Sequence, residues 1–228
     1  MQAPTSASTL RLPALMSACL LAAFTASAGE LRALVRDADG KPLADAVIVA
    51  VADAPGQRAG RPAAPGTDTI IIDQVNKEFI PYVLPVEVGT SVSFPNRDNI
   101  RHHVYSFSDA KRFELPLYIG DPAAPVLFDK PGTVILGCNI HDWMIAYVYV
   151  ANSPYYAKTD ASGTATLTRL PSGHYRVRVW HPRLAGGEDE TTESLDVTDE
   201  GVVEASWQIS LTPDFRIPRA PVPGQAGY

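Results

Sequence analysis

Short runs in which apolar and polar residues alternate recur along most of the chain, and clusters of turn-forming residues separate them. Residues 86–94 and 102–107 show this two-residue period, which is typical of half-buried β-strands. Twenty prolines and sixteen glycines among 228 residues leave little room for long helices. The sequence therefore predicts an all-β architecture of short strands joined by turns.

Further segments fit this architecture. Residues 31–51 are predicted to form a strand, a turn and a second strand, and residues 133–137 and 145–150 are predicted strands on either side of a loop. Residues 113–125 show no clear period, so we expect them to be an irregular surface segment. The loop between the two later strands is of special interest, because a rigid scaffold on both sides can orient its side chains.

The first 28 residues have the pattern of a secretory signal peptide. Arg11 is the only charged residue among them, residues 12–24 are mostly apolar, and residues 26–28 form a cleavage signal of the A-x-A type. The apolar stretch is shorter than the roughly 20 residues that a membrane-spanning helix needs. We therefore expect export to the periplasm, a mature chain that starts near Gly29, and no membrane span after signal removal.

Removal of this segment changes the cysteine count. Cys19 leaves with the signal peptide, and Cys138 becomes the only thiol of the exported chain. Attachment of a lipid at Cys19 is a weaker alternative, since the apolar stretch before it is short. A single thiol cannot form an internal disulfide. It is either a buried small hydrophobic residue or a metal ligand, and its neighbours favour the second role.

Cys138 begins a segment with three potential metal donors. His141 and Met144 follow at positions i+3 and i+6, and His102 and His103 lie in a strand-like run about 36 residues upstream. Two His, one Cys and a weak axial Met form the ligand set of electron-transferring blue-copper sites. Neighbouring side chains of a strand point to opposite faces, so only one of the two upstream His residues should face such a site.

Residues 69–151 resemble the cupredoxins, the small copper-binding β-sandwiches. The resemblance rests on two segments, Val92-x-Phe94-x-Asn96-x-Asp98 followed by His102-x-Val104, and Cys138-x-x-His141-x-x-Met144 with the short spacing of amicyanin. It implies one copper ion, with His102, Cys138 and His141 as equatorial ligands and Met144 as the axial ligand. His102 is preferred over His103 because the family pattern has His, one residue, then Val.

Three positions depart from the cupredoxin pattern. His103 stands where an Asn commonly ties the two ligand loops together, Gly137 stands where an aromatic residue often precedes the Cys, and Ile140 stands where a Pro often precedes the second His. The ligand set is unchanged by these departures. They leave open a less usual copper site in which a Glu, such as Glu114, is a fourth donor.

The flanking segments resemble the two halves of a carboxypeptidase-regulatory or transthyretin-like Ig-type domain. The similar residues are Val35-x-Asp37-x-x-Gly40-x-Pro42-Leu43 on one side and Leu170-Pro171-x-Gly173-x-Tyr175-x-Val177 on the other. We therefore expect a Greek-key cupredoxin β-sandwich inserted in, or next to, a second Ig-like β-sandwich. The predicted parts are a signal peptide (1–28), the first Ig-like part (29–65), the cupredoxin-like domain (66–153), the second Ig-like part (154–212) and a disordered tail (213–228).

Other chemistries fit the sequence less well. The net charge is −6 and no basic patch stands out, so nucleic acid is not an expected partner. Zinc is the competing metal, but Met is rare among zinc ligands. Catalysis by Cys138 as a nucleophile would need a substrate cleft and oxyanion elements that the sequence does not offer, so no enzymatic activity is predicted. His181 is a weaker candidate for a second metal site.

The predicted function is that of a periplasmic type 1 copper protein. As the resemblance implies, it would exchange single electrons with a redox partner such as a c-type cytochrome or a periplasmic dehydrogenase, through the solvent-near edge of His141. The alternative is a copper-delivery protein, or a carbohydrate- or surface-binding accessory protein anchored by the Ig-like portion. The sequence leaves the oligomeric state open.

Overall fold

The computed structural model describes residues 28–54, 70–122, 124–199 and 201–216. The predicted signal peptide before residue 28, most of the predicted connector and the last part of the predicted tail lie outside these ranges. Within them the chain forms β-strands and a single short 3-10 helix, Glu188–Thr191, so the all-β prediction is confirmed. None of the helices in the described ranges has the length and apolar character of a membrane span.

The strands are numbered in chain order. They are β1 (Gly29–Asp37), β2 (Val47–Ala52), β3 (Ile70–Ile71), β4 (Asp73–Val75), β5 (Glu78–Ile80), β6 (Val83–Glu87), β7 (Thr90–Ser93), β8 (His102–Ser108), β9 (Lys111–Tyr118), β10 (Val126–Phe128), β11 (Gly132–Gly137), β12 (Ile145–Ala151), β13 (Tyr155–Lys158), β14 (Thr164–Leu170), β15 (Gly173–Trp180), β16 (Glu193–Val197) and β17 (Val202–Ile209).

Strands β3 to β12 build one body with its own core, which we call the central sandwich. Its larger sheet has the order β6-β12-β11-β8-β9 and its smaller sheet the order β10-β7-β3, with β4 and β5 as a separate hairpin. Strands β6 and β12 run parallel, and the other pairs of the larger sheet are antiparallel. Alternation in β11 places Val134 and Leu136 in the core and leaves Ile135 exposed. This fold is consistent with a cupredoxin-like β-sandwich.

Strands β1, β2 and β13 to β17 build a second body, which we call the flanking sandwich. Its two sheets have the orders β14-β1-β17 and β13-β2-β15-β16 and enclose a separate apolar core. Strand β13 pairs with β2, so the chain leaves after β2 and returns beside it at β13. This connectivity has the form of an insertion. The Ig-like character of the flanking sandwich and the exact domain bounds remain predictions.

The two sandwiches pack against each other through a third apolar cluster. It joins Val83 and Tyr149 of the central sandwich to Val49 and Trp180 of the flanking one, and the rings of Tyr149 and Trp180 are 5.0 Å apart at their centroids. Lys158 adds a polar link, because its Nζ donates to the carbonyl oxygen of Val83 at 2.9 Å. One part of the outer face of the five-stranded sheet is therefore covered by the flanking sandwich.

One sequence-based expectation was wrong. Much of the segment 113–125 was expected to be irregular, but it includes most of strand β9, which pairs antiparallel with β8 at the edge of the five-stranded sheet. An edge strand is only partly covered, so its inner residues Phe113 and Leu115 are only partly buried against the core. Pro116 further interrupts the pattern, and edge strands are where proline is tolerated.

Candidate metal centre

Two neighbouring strands bring the predicted donors to one end of the five-stranded sheet. His102 is the first residue of β8, and Cys138 directly follows β11. These strands are antiparallel, and Gly137 lies opposite Tyr105. The start of β8 is therefore beside the end of β11. The segment 138–144 then connects β11 to β12, which places His141 on a short loop above the same sheet.

Three donor atoms converge at this point. The Nδ1 atoms of His102 and His141 lie 3.9 Å and 4.0 Å from the Sγ atom of Cys138. The two imidazole rings are 5.0 Å apart at their centroids. Within the described residues, this is the one group of three or more His, Cys, Asp or Glu side chains placed to hold a single ion, with all donor atoms within 4.8 Å of one another.

The donors differ in their access to solvent. His102 and Cys138 are buried, whereas His141 is half-buried. Met144 is buried in the same apolar cluster as Cys138. Its backbone N–H donates to the carbonyl oxygen of His141 at 2.9 Å, which closes a tight turn between the two residues. The loop is thus compact, and His141 is its most exposed donor.

The two adjacent histidines point to opposite faces of β8, as strand geometry requires. His102 faces Cys138. The Nε2 atom of His103 instead lies 2.8 Å from Oε1 of Glu114, and the His103 ring packs near that of Tyr105. Glu114 is a partner of His103 and does not belong to the donor group, so the geometry gives no support to Glu114 as a fourth ligand.

A carboxylate fixes the proton on His102. Its Nε2 atom lies 2.7 Å from Oδ2 of Asp98, and an ionised carboxylate can only accept. Nε2 of His102 therefore carries a proton in this contact, and in the neutral ring Nδ1 would present its lone pair toward Cys138. Burial acts to raise the pKa of Asp98. The hydrogen bonds from His102 and from the backbone N–H groups of Lys77 and Asn76 outweigh burial and hold that pKa below its ordinary value.

His141 is also kept in a form that can bind a metal. Burial, and then the proximity of His102, lower the pKa of His141. A lower pKa favours the neutral imidazole, which is the form that ligates. Its ring packs against the indole of Trp143, with centroids 5.1 Å apart.

The donor set fits copper in chemistry and in spacing. A thiolate and a thioether suit Cu(I), and imidazole suits either oxidation state. A first-row ion at about 2.0–2.3 Å from each donor in a trigonal arrangement would separate N from S by about 3.8 Å. The observed N-to-S distances of 3.9 Å and 4.0 Å are close to that value. Both N-to-S distances are therefore within a few tenths of an ångström of the value for a shared ion.

His181, the weaker candidate for a second metal site, has a structural role. It is buried, and its Nδ1 atom accepts the backbone N–H of Arg183 at 3.1 Å. Burial, followed by the nearby charge of Arg183, lowers the pKa of His181 to about 4. It belongs to no metal-binding group among the described residues.

Two important neighbours of the site were not assigned a role from the sequence. Asp98 bonds to His102, and Tyr105 fills the space beside Gly137, where an added Cβ would lie 2.7 Å from the Tyr105 ring. A carboxylate four residues before a candidate ligand His was a usable signal for Asp98. No local signal points to the contact between Gly137 and Tyr105.

The chain matches no family model, and a search of the curated proteins gave no match. Among solved structures it is similar to a copper-containing nitrite reductase from Thermus scotoductus SA-01 (26% identity, TM-score 0.35, 37% of this chain and 22% of that one). It is also similar to a purple cupredoxin from Nitrosopumilus maritimus (26%, TM-score 0.32, 37% and 100%) and to a reduced Cu(I) form of an amicyanin variant (25%, TM-score 0.34, 45% and 98%). This chain thus spans about a fifth of the length of the nitrite reductase.

Proposed function

We propose that this chain is a type 1 copper protein that passes single electrons between redox partners. One ion would be held by His102, Cys138 and His141, with Met144 as the weak axial ligand. The observation that carries the proposal is the convergence of two Nδ1 atoms, at 3.9 Å and 4.0 Å, on one buried thiol sulfur. The contact of His102 Nε2 with Asp98 supports it, because this contact favours the tautomer that leaves Nδ1 free for a metal.

Bound copper would supply a one-electron couple between Cu(I) and Cu(II). The chain supplies the conditions for using that couple. Cys138 and His102 are held in the core, so water is kept from them and the donors have little freedom to rearrange. His141 is half-buried, and its outer edge is the natural exit for an electron. Exposed Ile140 and half-buried Trp143 give this edge an apolar rim.

The burial of the donors favours electron transfer over metal delivery. A delivery protein must release its ion to a partner, and buried ligands slow that exchange. Only His141 among the three grouped donors reaches the surface here. We therefore retain copper delivery as an outcome of the experiment below and not as a second proposal.

The location and the partners are proposed from the sequence. The signal-peptide pattern of the first 28 residues supports export to the periplasm, where a c-type cytochrome or a dehydrogenase could be the redox partner. A test of export is to express the full-length chain in a Gram-negative host. Recovery from the periplasm with an N-terminus near Gly29 would support export, whereas an unprocessed chain in the cytoplasm would contradict it.

The decisive experiment on the site is copper loading. The purified protein and a Cys138→Ser variant are titrated with Cu(II), and visible absorption and electron paramagnetic resonance are recorded. We expect one ion per chain, an intense thiolate-to-copper band that the variant lacks, and reversible reduction. Absence of binding in the wild-type protein would refute the proposal. Cu(I) that is lost rapidly to a chelator would favour delivery, and zinc binding in preference to copper would point to a structural site.

A further inference from the structure

The turn between β4 and β5 contacts both ligand segments at once. Asn76 and Lys77 form this turn, and both have positive φ angles, 55° and 61°. Two consecutive positive φ values are typical of a tight two-residue hairpin turn. This geometry presents the backbone N–H groups of both residues to one neighbouring group, and the carbonyl of Lys77 to another.

The N–H groups of the turn bind the carboxylate that holds His102. Oδ1 of Asp98 accepts the N–H of Asn76 at 2.7 Å, and Oδ2 accepts the N–H of Lys77 at 2.8 Å. The same Oδ2 atom accepts Nε2–H of His102 at 2.7 Å. One carboxylate therefore joins the turn to the first ligand.

The carbonyl of the turn binds the loop of the second ligand. Nε1–H of Trp143 donates to the carbonyl oxygen of Lys77 at 3.1 Å, across 66 residues of sequence. The indole of Trp143 also packs against the ring of His141. A continuous path of contacts thus runs from His102 through Asp98, the turn and Trp143 to His141.

The segment that carries Asp98 is itself fixed. Asn96 is buried, and its Oδ1 atom accepts the backbone N–H of Asp98 at 3.0 Å. Its Nδ2 atom donates to the carbonyl oxygen of Ile100 at 2.9 Å. The carboxylate is therefore placed by the fold before any metal binds.

We propose that the Asn76–Lys77 turn is a clip that holds the two ligand segments at a fixed distance from each other. In the same proposal, Asp98 is the positioning residue that directs Nδ1 of His102 toward the metal and lowers the reduction potential of the bound copper. The inference rests on the proposed copper function. His103 is turned toward Glu114 and cannot serve as a link between the loops, so the clip does so from the other side. The negative charge next to His102 strengthens its donation and favours Cu(II) over Cu(I).

The test compares three proteins: the wild type, Asp98→Asn and Asp142→Asn. Asp142 is an exposed carboxylate in the ligand loop, so its variant measures the effect of removing a charge near the site. In Asp98→Asn we expect Cu(II) affinity to fall about 10- to 100-fold, Cu(I) affinity to fall less, and the potential to rise. A shift in potential no larger than that of Asp142→Asn would overturn the proposal.

A measurement on the copper-free protein separates this inference from the proposed function. Nitrogen-15 NMR of the imidazoles reports which nitrogen of His102 carries the proton. We expect the Nε2–H tautomer in the wild type and a mixture of tautomers in Asp98→Ala. If the wild type binds no copper but shows this pattern, the positioning role stands and the copper function fails. A dominant Nδ1–H tautomer in the wild type would refute the positioning role, even if copper binds.

Discussion

Replacing Gly137 by Ala tests how the residue before Cys138 is accommodated. An added Cβ would lie 2.7 Å from Cζ and 2.8 Å from the hydroxyl oxygen of Tyr105. Favourable contacts between such atoms lie at about 3.5–4.0 Å, so the ring must move by about 1 Å. Tyr105 also lines an open groove of about 460 Å³ at the surface, into which its ring can shift.

The expected cost follows from two opposing terms. Overpacking costs about 1–3 kcal/mol, and the open groove places this case toward the lower end. Replacing Gly by Ala in a strand returns about 0.5–1 kcal/mol, because the unfolded chain loses conformational freedom. We therefore expect Gly137→Ala to lower the free energy of unfolding by about 0.5 kcal/mol. In a Tyr105→Ala background the same change should be neutral or stabilising.

The assay is a double-mutant cycle by urea unfolding of the copper-free protein, followed by tryptophan fluorescence. The interaction energy between the two sites should equal the overpacking term, about 1–3 kcal/mol. Gly187→Ala is the matched control, because a Cβ there would meet its nearest neighbour only at 4.0 Å. An equal cost of Gly137→Ala with and without the Tyr105 ring would refute the reasoning.

Three further changes test other parts of the structure. Burial lowers the pKa of His181 to about 4 in the folded protein. Between pH 6.5 and 4, His181 therefore binds a proton in the unfolded chain but stays neutral in the folded one. This contribution to stability is complete above about pH 6.5 and is lost toward pH 4, by up to about 3 kcal/mol. Urea unfolding at pH 7 and at pH 4.5 should therefore show that His181→Gln loses less stability between the two pH values than the wild type does. Trp180→Ala should lower the free energy of unfolding by about 3–5 kcal/mol, because it empties the contact between the sandwiches, and an unchanged urea midpoint would contradict that role. Trp143→Phe keeps an aromatic ring beside His141 but loses the bond to Lys77, so calorimetry of the copper-free protein should show a loss of about 0.5–1.5 kcal/mol.

The candidate donor segment could be recognised in the sequence because its signals are local. Cys138, His141 and Met144 lie within seven residues, and their side-chain chemistry already restricts the metal. Strand alternation predicts that His102 and His103 face opposite sides of their strand. In the structure, His102 contacts Asp98 and His103 contacts Glu114. The alternating pattern of the larger strands is likewise a local property, which is why the all-β class was accessible from the sequence.

The supporting contacts could not be predicted, because they join segments that are distant in sequence. The bond from Trp143 to Lys77 spans 66 residues, and the packing of Tyr105 on Gly137 spans two strands of the sheet. No spacing rule connects such pairs, since the register of the strands decides which residues meet. Strand β9 was missed for a related reason. The burial of its first six residues alternates, but the apolar–polar alternation in the sequence is limited to Phe113, Glu114 and Leu115 before Pro116, and its pairing with β8 is what identifies it as a strand.

Strand β12 connects the candidate site to the interface with the flanking sandwich. This strand begins immediately after Met144, and its residues Tyr149 and Ala151 are buried in the cluster shared with the flanking sandwich. Strand β6, beside β12, contributes Val83 to the same cluster. The strand that closes the ligand loop is thus packed on one face by the core beneath the site and on the other by a second body. Because densely packed interiors deform little, this two-sided packing limits the movement of β12, the strand that follows Met144.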